Sequence, residues 1–402
     1  MARWIWPATG LALFLAVILP STLGWGLAIG LTLLSVGSTV WAAVLRRQVT
    51  VEIVLPARLI RGEDDELTVV ATNRSRLPAT RVRVEVQLPQ GGLTPSEVFF
   101  ELAVPGRSVV RRSTPITAFN RGRWQPLPLP VRLGDPFGIH EVETRRPPTA
   151  NPVIVLPVVL PVRRIHLPAA SPLAEVPDQR SLLNDPTAIV GIRPYEPGDP
   201  LRAIHWPATA ATGTLVRRET ERAWARDLLV VVDLDHDGWQ RHDQAPEVGI
   251  IVAASLLAEA ILRLRQPAGL LTSWVDTPGD EPRPAGFRIT GARPHLDSML
   301  SHLAVARLHP GLPLADLVGR DVRRQDSGAP RTWRQPGTTV AVITGRPGNE
   351  LAGALRQLRR RGLSPVVIHV GRGDLLDAAV PATGGAPRIT VPSDVPLSRL
   401  TL

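Results

Sequence analysis

Three aspartates at alternate positions, Asp233, Asp235 and Asp237, stand directly after the apolar run LLVVV as the segment DLDHD. Alternate acids at the end of a strand converge on one small volume, where their mutual repulsion favours a hard cation such as Mg²⁺ or Ca²⁺. The competing reading is ordinary solvated acids that cap the strand and the turn after it. A second constellation lies upstream in Arg193 to Trp206, RPYEPGDPLRAIHW, which gathers Tyr195, Gly198, Asp199, Arg202, His205 and Trp206. Tyr195 is the one tyrosine of the chain. Asp199 before Pro200 suits the N-cap and first turn of a short helix, which Pro207 should end. On such a helix Asp199, Arg202, His205 and Trp206 share a face, as a buried clasp or as a surface for a partner. No Ser or Cys nucleophile accompanies His205 at an interpretable spacing, so the segment is not expected to be catalytic.

The stretch RPYEPGDPLRAIHWPATA, followed by LVRRETERA and LLVVVDLD, resembles the signature of the bacterial family called domain of unknown function 58. RGRW at 121–124 and GDPFG at 134–138 resemble its upstream pattern, so the likeness covers most of the chain. The resemblance implies a membrane-anchored, non-enzymatic adaptor or scaffold ending in a von Willebrand factor A-like domain. It also implies a protein partner, with a MoxR-type AAA+ ATPase or a transglutaminase-like membrane protein encoded nearby. The chain departs from the pattern at Ala210, Ala211 and Thr212, where relatives carry an arginine. It departs again at the metal-ion-dependent adhesion site, an aspartate and two serines in the family. Asp233 matches, but Asp235 and Asp237 replace the serines and Gly345 follows Thr344 where an aspartate is expected.

DLDHD also resembles the opening of a haloacid-dehalogenase-type, Mg²⁺-dependent phosphatase. In that reading Asp233 is the nucleophile, Asp235 the general acid and Thr344 the phosphate ligand, with GDLLD at 373–377 as a distal acidic pair. That chemistry needs a cationic clamp on the phosphoryl group. The chain has no lysine, and an arginine would have to serve.

All 46 basic residues are arginine, the net charge is +10, and there is no cysteine. Thiolate metal sites and a disulfide framework are therefore excluded. The arginines are scattered and aromatic residues are only 4%, which argues against a nucleic-acid surface.

The elements that must position these residues follow from hydropathy and period. Trp4 to Leu19 and Gly24 to Leu45 are uncharged apolar runs separated by four residues, and they predict a transmembrane hairpin over 1–47. Arg3 precedes the pair and Arg46, Arg47, Arg58 and Arg61 follow it, which places both ends and the bulk of the chain on the cytoplasmic side of the cell membrane. A cleaved signal peptide followed by one anchor is the alternative, and would export the remainder. Over 48–161 the period becomes two, as in Val82, Val84, Val86 and Leu88 against Arg81, Arg83, Glu85 and Gln87. An antiparallel immunoglobulin-like β-sandwich is expected there, with the proline-rich PLPLPV at 126–131 on an edge strand. Residues 162–225 form a connector that carries the motif. From 226 to 402, strands alternate with helices, including an amphipathic helix over 246–264, and predict an open α/β sheet, which the resemblance implies is of von Willebrand factor A type. Any ligand would lie at the carboxyl ends of its strands.

Overall fold

The structure is a computed structural model. It describes residues 5–19, 21–146, 151–163, 184–196, 201, 204–222, 227–239, 244–275, 280–310, 312–323, 337–346, 348–371 and 386–395. Two compact units emerge, Met1–Val158 with Leu300–Ala306, and Val159–Met299 with Arg307–Leu402.

The first unit opens with helices α1 (Ile5–Ile18) and α2 (Thr22–Gln48). Ser21 caps α2, its hydroxyl accepting from the Gly24 amide at 3.0 Å. Most large apolar side chains of the pair, among them Phe14, Leu23, Leu27 and Leu33, are exposed. By length and composition α2 is a candidate membrane span, with only 22% of its apolar window buried. The second helical stretch that passes the same test, Ala245–Arg263, is 78% buried and so belongs to a core.

Helix α2 runs without a loop into β1 (Val49–Val54). The strands that follow are β2 (Arg58–Ile60), β3 (Asp64–Asn73), β4 (Ala79–Gln87), β5 (Leu93–Thr94), β6 (Glu97–Val104) and β7 (Ser108–Ala118). After them come β8 (Gly122–Trp124), β9 (Leu129–Gly134), β10 (Glu141–Arg146) and β11 (Val153–Leu156). Two four-stranded sheets form, ordered β1-β3-β7-β5 and β10-β9-β4-β6, beside a small β2-β11-β8 sheet. One core joins them: Leu67, Val69 and Ala71 from β3 meet Val82, Val84 and Val86 from β4, and Leu45 of α2 lies in the same cluster. Alternation of period two produced this, since each strand has one apolar face to bury.

The proline-rich strand is not at an edge. β9 pairs with both β10 and β4. Proline is tolerated because the ladder with β4 covers only Val131 to Gly134, so the missing amide of Pro130 falls outside it.

In the second unit, the connector expected over 162–225 contains a β-hairpin of β12 (Asn184–Pro194) and β13 (Val216–Arg222). Between them lies α3 (Trp206–Thr212). The strands β14 (Leu228–Val232), β15 (Ala268–Trp274), β16 (Arg283–Thr290), β17 (Thr339–Thr344), β18 (Ser364–Gly371) and β19 (Arg388–Pro392) build one sheet in the order β16-β15-β14-β17-β18-β19. All neighbours are parallel except β15 and β16. The helices of this unit are α4 (Ala245–Ala258), the first part of α5 (Arg293–Val305, which passes to the first unit at Leu300), α6 (Leu314–Arg323) and α7 (Gly348–Arg359). α4 is not amphipathic, because twelve of its residues, Ala245 and Val248 to Ala258, are buried. It continues into a π-helical turn, Glu259–Arg263.

Within this unit the chain proceeds from the centre to one edge through β14, β15 and β16, then returns to the centre and runs to the other edge through β17, β18 and β19. The direction reverses between β14 and β17. Open α/β sheets leave their crevice there, outside the carboxyl ends of the strands. DLDHD follows β14, and ITGR closes β17, so both flank that point.

Candidate functional site

Asp233 is fixed from both sides of its own peptide. Its amide donates to the Ile343 carbonyl at 3.0 Å, extending the β14–β17 ladder, and its carbonyl accepts from the Trp239 indole at 2.8 Å. Its carboxylate is 1% exposed and fully engaged. Oδ1 accepts from the Asp235 amide at 3.1 Å, and Oδ2 accepts from the Thr344 hydroxyl at 2.8 Å and from Arg346 Nε at 3.0 Å. The Arg346 Nη2 group donates to Asp235 Oδ2, so one guanidinium spans two buried carboxylates. The Arg346 amide also donates to Thr344 Oγ1 at 3.1 Å.

Glycine makes this approach possible. A Cβ at Gly238 would lie 2.8 Å from Asp233 Oδ2 and 3.3 Å from Arg346 Nε. A Cβ at Gly345 would lie 2.7 Å from the Gly238 carbonyl. Burial raises the Asp233 pKa above the ordinary carboxylate range, and it outweighs the opposing pull of Arg346 and of the Thr344, Asp235 and Arg346 hydrogen bonds.

His309 lines the same edge. Its amide donates to the Leu234 carbonyl at 3.0 Å, and its carbonyl accepts from the His236 amide at 3.0 Å. Its Nε2 is 2.6 Å from the Ser273 hydroxyl at the end of β15. Burial lowers the His309 pKa, with Asp235 and Asp233 opposing.

The three aspartates do not converge. Asp233 and Asp235 face inward, but the turn His236–Gly238 carries Asp237 out to solvent, where its carboxylate sits 3.9 Å from His236 Nδ1. Among the described residues no three His, Cys, Asp or Glu side chains come together as a metal site. Asp233 and Asp235 alone are a poor site for Mg²⁺ or Ca²⁺, because the Arg346 guanidinium already bridges them and a cation would have to displace it. Reasoning from the sequence missed Arg346. The available signal was its place two residues after Thr344 in a chain without lysine.

The phosphatase constellation is partly assembled: Thr344 does reach Asp233. Its hydroxyl is spent on that carboxylate, however, and the Asp233 oxygens are all occupied. The distal pair at 373–377 lies outside the described residues.

The motif at 193–206 departs from expectation in its helix. Gly198, Asp199 and Arg202 lie outside the described residues. Helix α3 begins at Trp206 rather than ending there, because proline is favoured in a first turn whose amides lack intrahelical partners. His205 is its N-cap: Nδ1 accepts from the Ala208 amide at 3.0 Å, and the His205 amide donates to the Val216 carbonyl at 2.8 Å. Gly213 closes the helix in the left-handed conformation, φ 69°. The Tyr195 amide donates to the Leu215 carbonyl at 2.9 Å, which fixes the base of the hairpin. Trp206 is 64% exposed, so it is no part of a buried clasp. Leu201 and Leu215 of the same segment are exposed as well.

No protein-family model matches the chain, and no curated protein does. Among solved structures, the chain is similar to the CARDB domain of the PF1109 protein from Pyrococcus furiosus, solved in complex with di-metal ions. The identity is 12% and the TM-score 0.19, over 26% of this chain and 93% of that one. A solution structure of the same CARDB domain matches at 11% identity and TM-score 0.18, over 27% of this chain and 95% of that one. AvmM, which catalyses macrocyclization in alchivemycin A biosynthesis, matches at 9% identity and TM-score 0.17, over 25% of this chain and 89% of that one.

Proposed function

We propose that the protein is a non-enzymatic, two-pass membrane adaptor, held by α1 and α2 with its bulk in the cytoplasm, whose second unit binds another protein. The observation that carries this reading is Trp206, a large aromatic side chain exposed to solvent at the capped start of α3, with Leu201 and Leu215 exposed nearby. Tryptophan dominates binding energy at protein interfaces when a partner pocket covers it. The doubly wound sheet order supports assigning the second unit to the von Willebrand factor A type, with a salt bridge in place of the adhesion metal. The paired sheets of the first unit support an immunoglobulin-like spacer at the membrane. The resemblance of residues 193–222 to domain of unknown function 58 points to a MoxR-type AAA+ ATPase or a transglutaminase-like membrane protein as the partner.

The phosphatase alternative has one supporting observation, the bond between Thr344 and Asp233. The occupied Asp233 carboxylate weighs against it.

The test is Trp206→Ala in the full chain, purified from its native membrane. Retained folding with loss of the co-purifying partner is the expected result. An unchanged partner set would remove Trp206 from the interface and leave the adaptor reading without its main support. Turnover of a generic phosphate ester, abolished in Asp233→Ala, would replace the adaptor reading with the phosphatase.

A further inference from the structure

The turn between β9 and β10, residues 135–140, is fastened to the membrane hairpin. Ser38 of α2 donates to Asp135 Oδ2 and lies 2.9 Å from His140 Nδ1. Thr39 Oγ1 is 3.4 Å from His140 Nε2, and the Trp6 indole of α1 donates to that same nitrogen at 3.2 Å. Asp135 is buried and folds the turn around itself, accepting from the amides of Ile139 at 2.9 Å and His140 at 2.8 Å. Both ends of the turn are thus tied to Ser38, and Phe137 lies two residues from one tie and three from the other. Its side chain is 63% exposed.

The level of this attachment follows from α2. Outward apolar side chains continue along it from Leu23 through Trp25, Leu27, Leu33 and Val36 to Val40. One step further, Trp41 donates its indole to the Pro78 carbonyl, and Ala42 and Leu45 are buried. From Thr22 to Val40 the helix rises about 28 Å, close to the roughly 30 Å of a hydrocarbon core. Ser38 therefore lies within one helical turn of the lipid boundary, and the tied turn lies at the same level. Phe99 on β6 and Phe119 just after β7 are similarly exposed, but among the described residues no hydrogen bond ties them to α1 or α2.

We infer that the 135–140 turn is a third membrane contact, with the Phe137 ring inserted at the boundary between headgroups and acyl chains. This inference rests on the transmembrane reading of α1 and α2. An aromatic ring at that level gains by leaving water, and Asp135 can accompany it because its carboxylate is satisfied within the protein. The contact would hold the β-sheets of the first unit against the bilayer surface instead of letting them swing on α2.

The chain has no cysteine, so one introduced residue can be labelled uniquely. Full-length Phe137→Cys, Leu27→Cys and Phe99→Cys would each carry an environment-sensitive fluorophore in nanodiscs of phosphatidylcholine and phosphatidylglycerol, with nitroxide quenchers at the headgroup or along the acyl chain. The expected result is a blue-shifted label at 137, quenched severalfold more by headgroup and shallow acyl nitroxides than the label at 99. The label at 27 should respond to deep nitroxides. If 137 behaves like 99 while 27 is quenched from the bilayer, the hairpin spans but the third contact is refuted. If 27 is also open to water, the transmembrane reading and this inference fall together.

Discussion

Removing the Arg346 guanidinium tests the central feature of the second unit. In Arg346→Ala, Asp233 and Asp235 lose the cation that spans them, while both stay enclosed beside Gly238 and Trp239. At the 3.0 Å separation of Nε and Asp233 Oδ2, one ion pair contributes about 5 kcal/mol of attraction at an effective dielectric of about 20. Desolvation of Arg346 itself offsets part of this. Breaking one side of a buried pair costs about 3–5 kcal/mol, because the partner charge is left uncompensated. The loss should appear as amide exchange of β14, Leu228–Val232, faster by roughly 10²-fold or more. The sign with pH is fixed. Asp233 already has a folded pKa above its unfolded value, so protonation stabilises the fold and stability declines as pH rises through the window above the ordinary aspartate range. Without Arg346 that pKa rises further, so the deficit against the parent should shrink on acidification. Exchange within tenfold of the parent at neutral pH, or a deficit that grows in acid, would refute the buried-pair account.

Three further outcomes follow from the same structure. Gly238→Ala places a methyl group 2.8 Å from Asp233 Oδ2 and should cost about 1–3 kcal/mol, measured by the same exchange of β14. His302 is held by burial at a pKa of about 4. Because the unfolded chain takes up its proton near pH 6.5, stability should fall between pH 6.5 and about 4 by a few kcal/mol, and urea titrations of His302→Leu should lack that slope. Leu27→Arg puts a charge midway along the exposed face of α2, at a cost of about 2.5–3.5 kcal/mol in bilayer insertion. It should move the protein out of the carbonate-resistant membrane fraction, and unchanged extraction would count against the hairpin.

Much of the architecture was legible in the residues because its causes are local. Uncharged runs of sufficient length gave the two helices, alternation of Val and Arg over 81–88 gave β4, and LLVVV gave a strand buried on both faces. The reading failed where a neighbour decides. β12 has no clear period and exists through pairing with β13, while β9 tolerates Pro130 because its ladder with β4 stops at Val131. Pro207 is a helix breaker or a helix starter depending on which amides need partners, and only the His205 cap settles which.

The candidate site divides in the same way. The sequence by itself placed Asp233 and Asp235 at the end of an apolar strand, since that depends on spacing alone. What bridges them was decided by the tertiary structure: Arg346, more than a hundred residues away, reaches them because β14 and β17 are parallel neighbours at the sheet's point of reversal. Charge compensation in a buried site acts through space, and spacing along the chain carries no record of which cation arrives there.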